Sequence, residues 1–205
     1  MSEIKNLLFD LGGVVVTIDR NRCVKAYNEA GMPDADEMLG VYKQSGIFLQ
    51  LEEGRVTPQQ FREEMRKHFT CEVSDETIDN CFKQFLIGIP LPRLRALEQL
   101  KEHYRIYILS NTNAIMFETT IRDFFKGDGH ELEYYADDYV VSYEELCCKP
   151  DEKIFRRCVE KFGIKPEETL FFDDGQVNCD AAAKLGFATH CVKPGTEFYE
   201  YFYNK

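Results

Sequence analysis

Positive charge is scarce in this sequence. Across 205 positions, 25 Lys and Arg stand against 36 Asp and Glu, a formal charge of −11. A surface of that sign repels polyphosphate, so neither a nucleic acid nor an anionic membrane is expected as a partner. The one concentration of cations, residues 161–165, is followed at once by Glu167 and Glu168. Long apolar runs are missing too. Nothing approaches the ~18 to 20 residues that a membrane span needs, and the most apolar N-terminal piece, residues 7–16, is broken by Asp10. That Asp, and the lack of a small-residue cleavage site, argue against a signal peptide, so a cytoplasmic location is expected. Internal repeats and low-complexity segments are absent. There is no CxxC pair and no Cys/His cluster of zinc type, although Cys itself is abundant, at positions 23, 71, 81, 147, 148, 158, 179 and 191. Adjacent Cys147 and Cys148 cannot easily bridge each other, and reduced, mostly buried thiols are expected rather than a disulfide framework. His68, His103, His130 and His190 show no ligand spacing and are assigned no catalytic role.

What is present is core-forming material: 44% hydrophobic residues, with 16 Phe and 11 Tyr. A chain of this size is one domain, or one domain and a lobe. Short apolar runs predict strands over 5–9, 106–109, 139–142, 170–172 and 188–192. Helical spacing lies between them, with Leu94, Leu97 and Leu100 over 92–104, Ile154, Phe155, Val159 and Phe162 over 151–162, and an Ala-rich stretch over 176–185 stopped by Gly186. This alternation predicts an α/β fold, a Rossmann-like parallel five-stranded core sheet covered on both faces. Residues 19–90 break the alternation and read as helices only: 20–30 ended by Gly31, 36–44, 58–69 opened by Thr57, and 75–85 opened by Ser74. The expected organisation is a core of 1–18 and 91–205 with an inserted helical cap of 19–90. The aromatic tail, 198–203, is expected to pack on its own domain.

Four segments place polar residues directly after an apolar run, where an open parallel sheet builds its binding crevice. In LLFDLGGVV, Asp10 can act as nucleophile or metal ligand while Gly12 and Gly13 let backbone amides approach a phosphate; a plain turn reads equally well. In ILSNTN, Ser110 and the amides around Asn111 can hold an anion, or simply cap a helix. In CKPD, Lys149 before Pro150 is kept extended and can neutralise a dianion, or sit in solvent. In LFFDDGQVN, Asp173 and Asp174 repel each other and need a cation or strong hydrogen bonds; oxygen ligands in a crevice suit Mg²⁺.

In this order, DLGGVV, LSNTN, CKPDEKIF and FFDDGQVN, with Glu53-Gly54 in the inserted segment, resemble the haloacid dehalogenase superfamily over essentially the whole chain, and in particular small bacterial sugar-phosphate phosphatases of the kind that act on glucose 1-phosphate. The resemblance implies that Asp10 attacks phosphorus and becomes an aspartyl phosphate. It implies that Mg²⁺ is held by Asp10, the Gly12 carbonyl and Asp174 with Asp173 nearby, that Ser110 and the Asn111 amide bind the phosphoryl group, and that Lys149 offsets charge. It further implies that Asn178 orients the metal-site carboxylates and that the cap closes over the crevice. The substrate would be a small phosphorylated metabolite, the protein a monomer or homodimer.

One position departs from the pattern. Most phosphatases of this superfamily carry an Asp two residues after the nucleophile as general acid and base, and here Gly12 stands there. A low-pKa leaving group, another carboxylate such as Asp19, or weak turnover would each accommodate the change. Two alternatives to a phosphatase follow from the same residues: a metal-independent 2-haloacid dehalogenase and a non-catalytic phosphate-binding module. The paired carboxylates at 173 and 174 argue against the first, since a metal-free reaction gives no reason to juxtapose them.

Overall fold

A computed structural model describes residues 3–40 and 46–203. Five parallel strands form the central sheet. These are β1 (Asn6–Phe9), β4 (Arg105–Ser110), β5 (Asp138–Val141), β6 (Thr169–Asp173) and β7 (Ala188–Cys191), in the spatial order β5-β4-β1-β6-β7. Two of them, β1 and β6, follow from runs that are buried on both faces. β1 pairs with β4 on one side and β6 on the other, so Phe9 stands beside both Ile108 and Phe172. The chain order reverses at β1, and the carboxyl ends of the three middle strands therefore open the crevice in which ligands bind. Asp10, Ser110 and Asp173 all lie at that edge.

Side chains alternate across the sheet. Leu8, Leu109 and Phe171 face α10 (Glu152–Phe162) and α11 (Gln176–Lys184), packing with Ile154, Phe155, Cys158 and Ala182. Leu7, Phe9 and Phe172 belong to the other layer, where Leu94 and Leu97 of α6 (Leu91–Leu100) lie, together with the tail. Phe198 is fully buried with its ring 5.0 Å from Phe9, and the short helix α12 (Glu200–Tyr203) follows, so the tail does pack on its own domain. Between β4 and β5 the chain forms a π-helical stretch, Met116–Ile121, continued by α7 (Arg122–Phe125), then α8 (Leu132–Tyr135); α9 (Ser142–Glu145) follows β5. All eight cysteines are free. No described helix is long and apolar enough to cross a membrane.

The insertion after β1 holds α1 (Arg20–Glu29), α2 (Ala35–Leu39), α3 (Gly46–Glu52), α4 (Pro58–Arg66) and α5 (Asp75–Lys83). Its interior is an aromatic cluster of Phe48, Phe61 and Phe82, each ring centroid 5.3 Å from the other two. Burial of a Phe of this kind stabilises by about 1.5–3 kcal/mol. Thr57 starts α4 through a capping box with Gln60, and Ser74 starts α5 by accepting from Thr77 N–H. Two expectations fail here. The segment is not helical throughout, because β3 (Leu86–Gly88) pairs antiparallel with β2 (Thr17–Ile18) and ties the two ends of the insertion together. Such pairing joins residues far apart in sequence and leaves no local periodicity. The helix expected over 36–44 stops at Gly40, whose φ of +58° ends α2; positions 41–44 lie outside the described residues. α3 had not been anticipated.

Candidate active site

Asp10 follows β1 and is 8% exposed. Its N–H donates to the Phe172 carbonyl at 2.9 Å, and its Oδ1 accepts from Leu11 N–H at 2.7 Å. Lys149, 4% exposed, reaches the same Oδ1 at 2.8 Å, Asp173 Oδ2 at 2.7 Å and the Leu109 carbonyl at 3.1 Å. The lysine expected to neutralise charge is thus buried among the strand ends rather than in solvent. Burial alone would lower its pKa, and the two carboxylates outweigh that and hold it protonated.

Asp173 is fully buried and spoken for on both oxygens. Oδ1 accepts from Gly175 N–H and from Asn178 Nδ2, each at 2.8 Å, while Oδ2 accepts from Lys149. Asn178 therefore orients the carboxylate, as the resemblance implied. Asp174 is different: its carboxylate lies against Gly13, where a Cβ would collide with it. Gly13 also has φ of +76°, so this position admits glycine on two counts. Oxygens of Asp10, Asp173 and Asp174 come within 4.8 Å of one another. Three carboxylates around one ammonium leave the cluster short of positive charge. Burial pushes the Asp10 carboxyl up, Asp173 and Asp174 add to that, and Lys149 opposes it; Asp174 is raised likewise by burial and by Asp173. Hard oxygen donors with an unmet demand for charge fit a divalent cation such as Mg²⁺.

Ser110 ends β4 and is 2% exposed, its hydroxyl without a protein partner among the described residues. The side chain of Asn111 grips Lys149, donating from Nδ2 to its carbonyl at 2.9 Å and accepting its N–H at 2.8 Å. Thr112 N–H is used by Ser142 Oγ at 3.0 Å, which fastens the loop to the end of β5. A Cβ at Gly12 would meet only the Ile18 side chain, at 3.8 Å. Asp19 accepts from Asn21 N–H at 2.9 Å and caps α1.

Two residues near these loops had not been singled out. Asn113 is fully buried, with Oδ1 accepting from Met116 N–H while Nδ2 has no partner. Glu52, at the end of α3, is 9% exposed. Its position four residues after Phe48 and one after Leu51, both buried, was a usable signal: a carboxylate on the apolar face of a helix.

A buried lysine held between strand-end carboxylates, with a further carboxylate beside them, is the arrangement of a hydrolase of the haloacid dehalogenase type. The chain belongs to the haloacid dehalogenase-like hydrolases, whose family model matches residues 4–186. It is 35% identical over 195 residues to a D-ribitol-5-phosphate phosphatase of Bacteroides thetaiotaomicron, covering 95% of each chain. Among solved structures, it resembles a haloacid dehalogenase family enzyme of the same organism, an Asp12Ala mutant in complex with magnesium and inorganic phosphate, at a TM-score of 0.93 and 38% identity over 97% of this chain and 98% of that one. A predicted member of the family from Porphyromonas gingivalis matches at a TM-score of 0.89 and 32% identity, covering 99% and 98%.

Proposed function

We propose that this protein is a Mg²⁺-dependent phosphatase that hydrolyses a small sugar or polyol phosphate through an aspartyl phosphate on Asp10. The observation that carries this reading is Lys149 bridging Asp10 and Asp173 while Asp174 closes over Gly13, a cluster built for a nucleophile beside a cation. Similarity to a D-ribitol-5-phosphate phosphatase supports the expected class of sugar phosphates and favours within it a primary phosphate over an anomeric one such as glucose 1-phosphate.

Asp10 and Asp174, with the Gly12 carbonyl, would hold Mg²⁺, which when bound offsets the negative charge of the phosphoryl oxygens. Asp173 positions Lys149 and the following turn. Lys149 fixes Oδ1 of Asp10 and so sets the direction from which the carboxylate attacks phosphorus. Ser110 Oγ and the Asn111 amide bind phosphoryl oxygens, and Gly12 and Gly13 let the first loop lie close to them. Water then hydrolyses the aspartyl phosphate and returns Asp10 as a carboxylate. The cap over 19–90 covers the crevice and selects the leaving group. We take the enzyme to be cytoplasmic, monomeric or homodimeric, and to act on a small metabolite; its acidic composition disfavours a nucleic-acid or anionic-membrane partner.

Phosphate release from an aryl phosphate, followed with Mg²⁺ and with chelator, tests the proposal. Turnover should require the metal and vanish in Asp10→Asn. A panel of phosphorylated metabolites led by D-ribitol 5-phosphate, with glucose 1-phosphate included, then fixes the substrate. Halide release from a 2-haloacid without metal would replace this reading by a dehalogenase, and phosphate binding without turnover would replace it by a binding module.

A further inference from the structure

Two of the free thiols rest on the backbone of the paired carboxylates. Cys179, near the start of α11, donates from Sγ to the Asp173 carbonyl at 3.8 Å, and Cys191, the last residue of β7, donates from Sγ to the Asp174 carbonyl at 3.5 Å. Sheet register puts Cys191 opposite Asp173, and the next N–H, of Val192, donates to the Asp173 carbonyl at 2.9 Å. Because the two carbonyls belong to consecutive residues, the sulfurs that hold them are neighbours. Cys191 acts on the Cys179 thiol through both a hydrogen bond and its charge.

The two sulfurs differ in access. Cys179 is 1% exposed, whereas Cys191 is half-buried and lines a cleft of about 410 Å³ together with His190, Lys193 and Tyr201. A small oxidant can reach one sulfur while the other waits beside it, as a reactive thiol and its resolving partner do. The turn they hold has little slack. Asp174 lies against Gly13 with no room for a Cβ, and Asp173 is committed on both oxygens, to Lys149 and to Gly175 with Asn178. Moving the backbone here moves the carboxylates with it. Another neighbouring pair, Cys23 and Cys81, lies on α1 and α5 of the insertion.

We propose that Cys179 and Cys191 are an oxidative modification site, a thiol pair whose conversion to a disulfide weakens Mg²⁺ binding at Asp174. The metal effect rests on the reading of Asp174 as a ligand. The Cys191 sulfur attacks hydrogen peroxide, the O–O bond breaks, one oxygen stays on sulfur as a sulfenic acid, and the other leaves as water with the thiol proton. The Cys179 sulfur then attacks the Cys191 sulfur. An S–S bond forms, the S–O bond breaks, and the hydroxyl leaves as a second water with the Cys179 proton, so two thiols have given two electrons to one peroxide. A thiol reductant reverses the change by exchange. Neither sulfur of the disulfide carries a hydrogen, so both carbonyls lose a donor as the sulfurs draw together.

The test treats the protein with hydrogen peroxide, blocks remaining thiols, maps cross-linked peptides by mass spectrometry and measures Mg²⁺ affinity by titration calorimetry. A cross-link joining Cys179 to Cys191 should form, and Mg²⁺ affinity should fall by about 10- to 100-fold, as when a group supporting a metal ligand is lost. Dithiothreitol should reverse both. Cys191→Ser keeps a hydroxyl donor for the Asp174 carbonyl and should lose no Mg²⁺ affinity under the same treatment. A cross-link between Cys23 and Cys81 alone, a Cys179–Cys191 cross-link that leaves Mg²⁺ affinity unchanged, or an equal loss in Cys191→Ser would overturn the proposal. Failure of the reduced wild type to bind Mg²⁺ would overturn the metal reading, and this inference with it.

Discussion

Asn111 grips the backbone of Lys149 in both directions, with Nδ2 on its carbonyl and Oδ1 on its N–H. Through this pair the loop after β4 sets where the lysine ammonium meets Asp10 and Asp173. Each bond is worth about 0.5–1.5 kcal/mol net, whereas a misplacement of about 1 Å in a catalytic group costs roughly 10²-fold in rate. Asn111→Ala should therefore lower kcat by one to two orders of magnitude, on the order of that misplacement cost, with a fall in Tm of a few degrees. Asn111→Asp sets an oxygen against the Lys149 carbonyl and should be worse. Steady-state kinetics alongside thermal melts separates the two effects.

Gly13 and Gly12 are neighbours with different obligations. A Cβ at Gly13 collides with the Asp174 carboxylate and faces a φ of +76°, while at Gly12 it meets Ile18 at an ordinary 3.8 Å. Gly13→Ala should displace Asp174 and weaken Mg²⁺ binding by at least tenfold, at a stability cost of about 1–2 kcal/mol for the left-handed backbone. Gly12→Ala should fold normally. Asp174→Ala should mimic the metal defect without the strain, and titration calorimetry of all three variants with Mg²⁺ checks the ranking.

Much of this was legible in the sequence, for identifiable reasons. The strands were visible because runs such as residues 6–9 are buried throughout, and Asp10, Ser110, Asp173 and Asp174 because each ends or follows such a run; Lys149 does not, since α9 separates it from β5. The Asn111 clamp was not visible, since it joins a side chain to a backbone 38 residues away. Nor was the pairing of Thr17 with Gly88, which has no local pattern. Glu52 was within reach of a helical-face argument, but α3 was not anticipated, so its apolar face was never drawn.

Stability without metal should fall as pH rises. Asp10, Asp174 and Glu52 all have folded-state pKa values above their ordinary values of 3.8, 3.8 and 4.5. The folded protein thus binds more protons than the unfolded chain across that window, and stability is lost as these groups ionise in the folded state. Lys149 is raised above 10.5 and stays charged throughout, so it contributes no slope below that pH. In chelator, Tm should decline from about pH 5 towards pH 8 as these carboxyls ionise. Mg²⁺ should flatten the decline and stabilise more at the alkaline end, because the cation binds the ionised form. Scanning calorimetry at several pH values with and without metal measures both slopes; a slope unchanged by Mg²⁺ would deny that the cation sits on these carboxylates.

Gly54 offers a way to separate cap from core. Its left-handed backbone and its fit against the Tyr143 carbonyl and Leu146 leave no room for a side chain. Gly54→Ala must either strain the α3–α4 turn or lift it off the core. The aromatic cluster of Phe48, Phe61 and Phe82 lies within the insertion and makes no use of that seam, so the insertion should stay folded while its docking weakens. The lost contact positions the end of α3 rather than Asp10 or Lys149, so phosphate binding to the core should change little while kcat falls about tenfold or more, as for lids whose closure completes a site. Hydrogen exchange supplies the decisive readout. Amides of α3 and the turn after it should exchange faster in the variant, and those of β1, β4 and β6 should not, whereas protection lost equally from both would mean that the cap is a structural part of the core rather than a lid upon it.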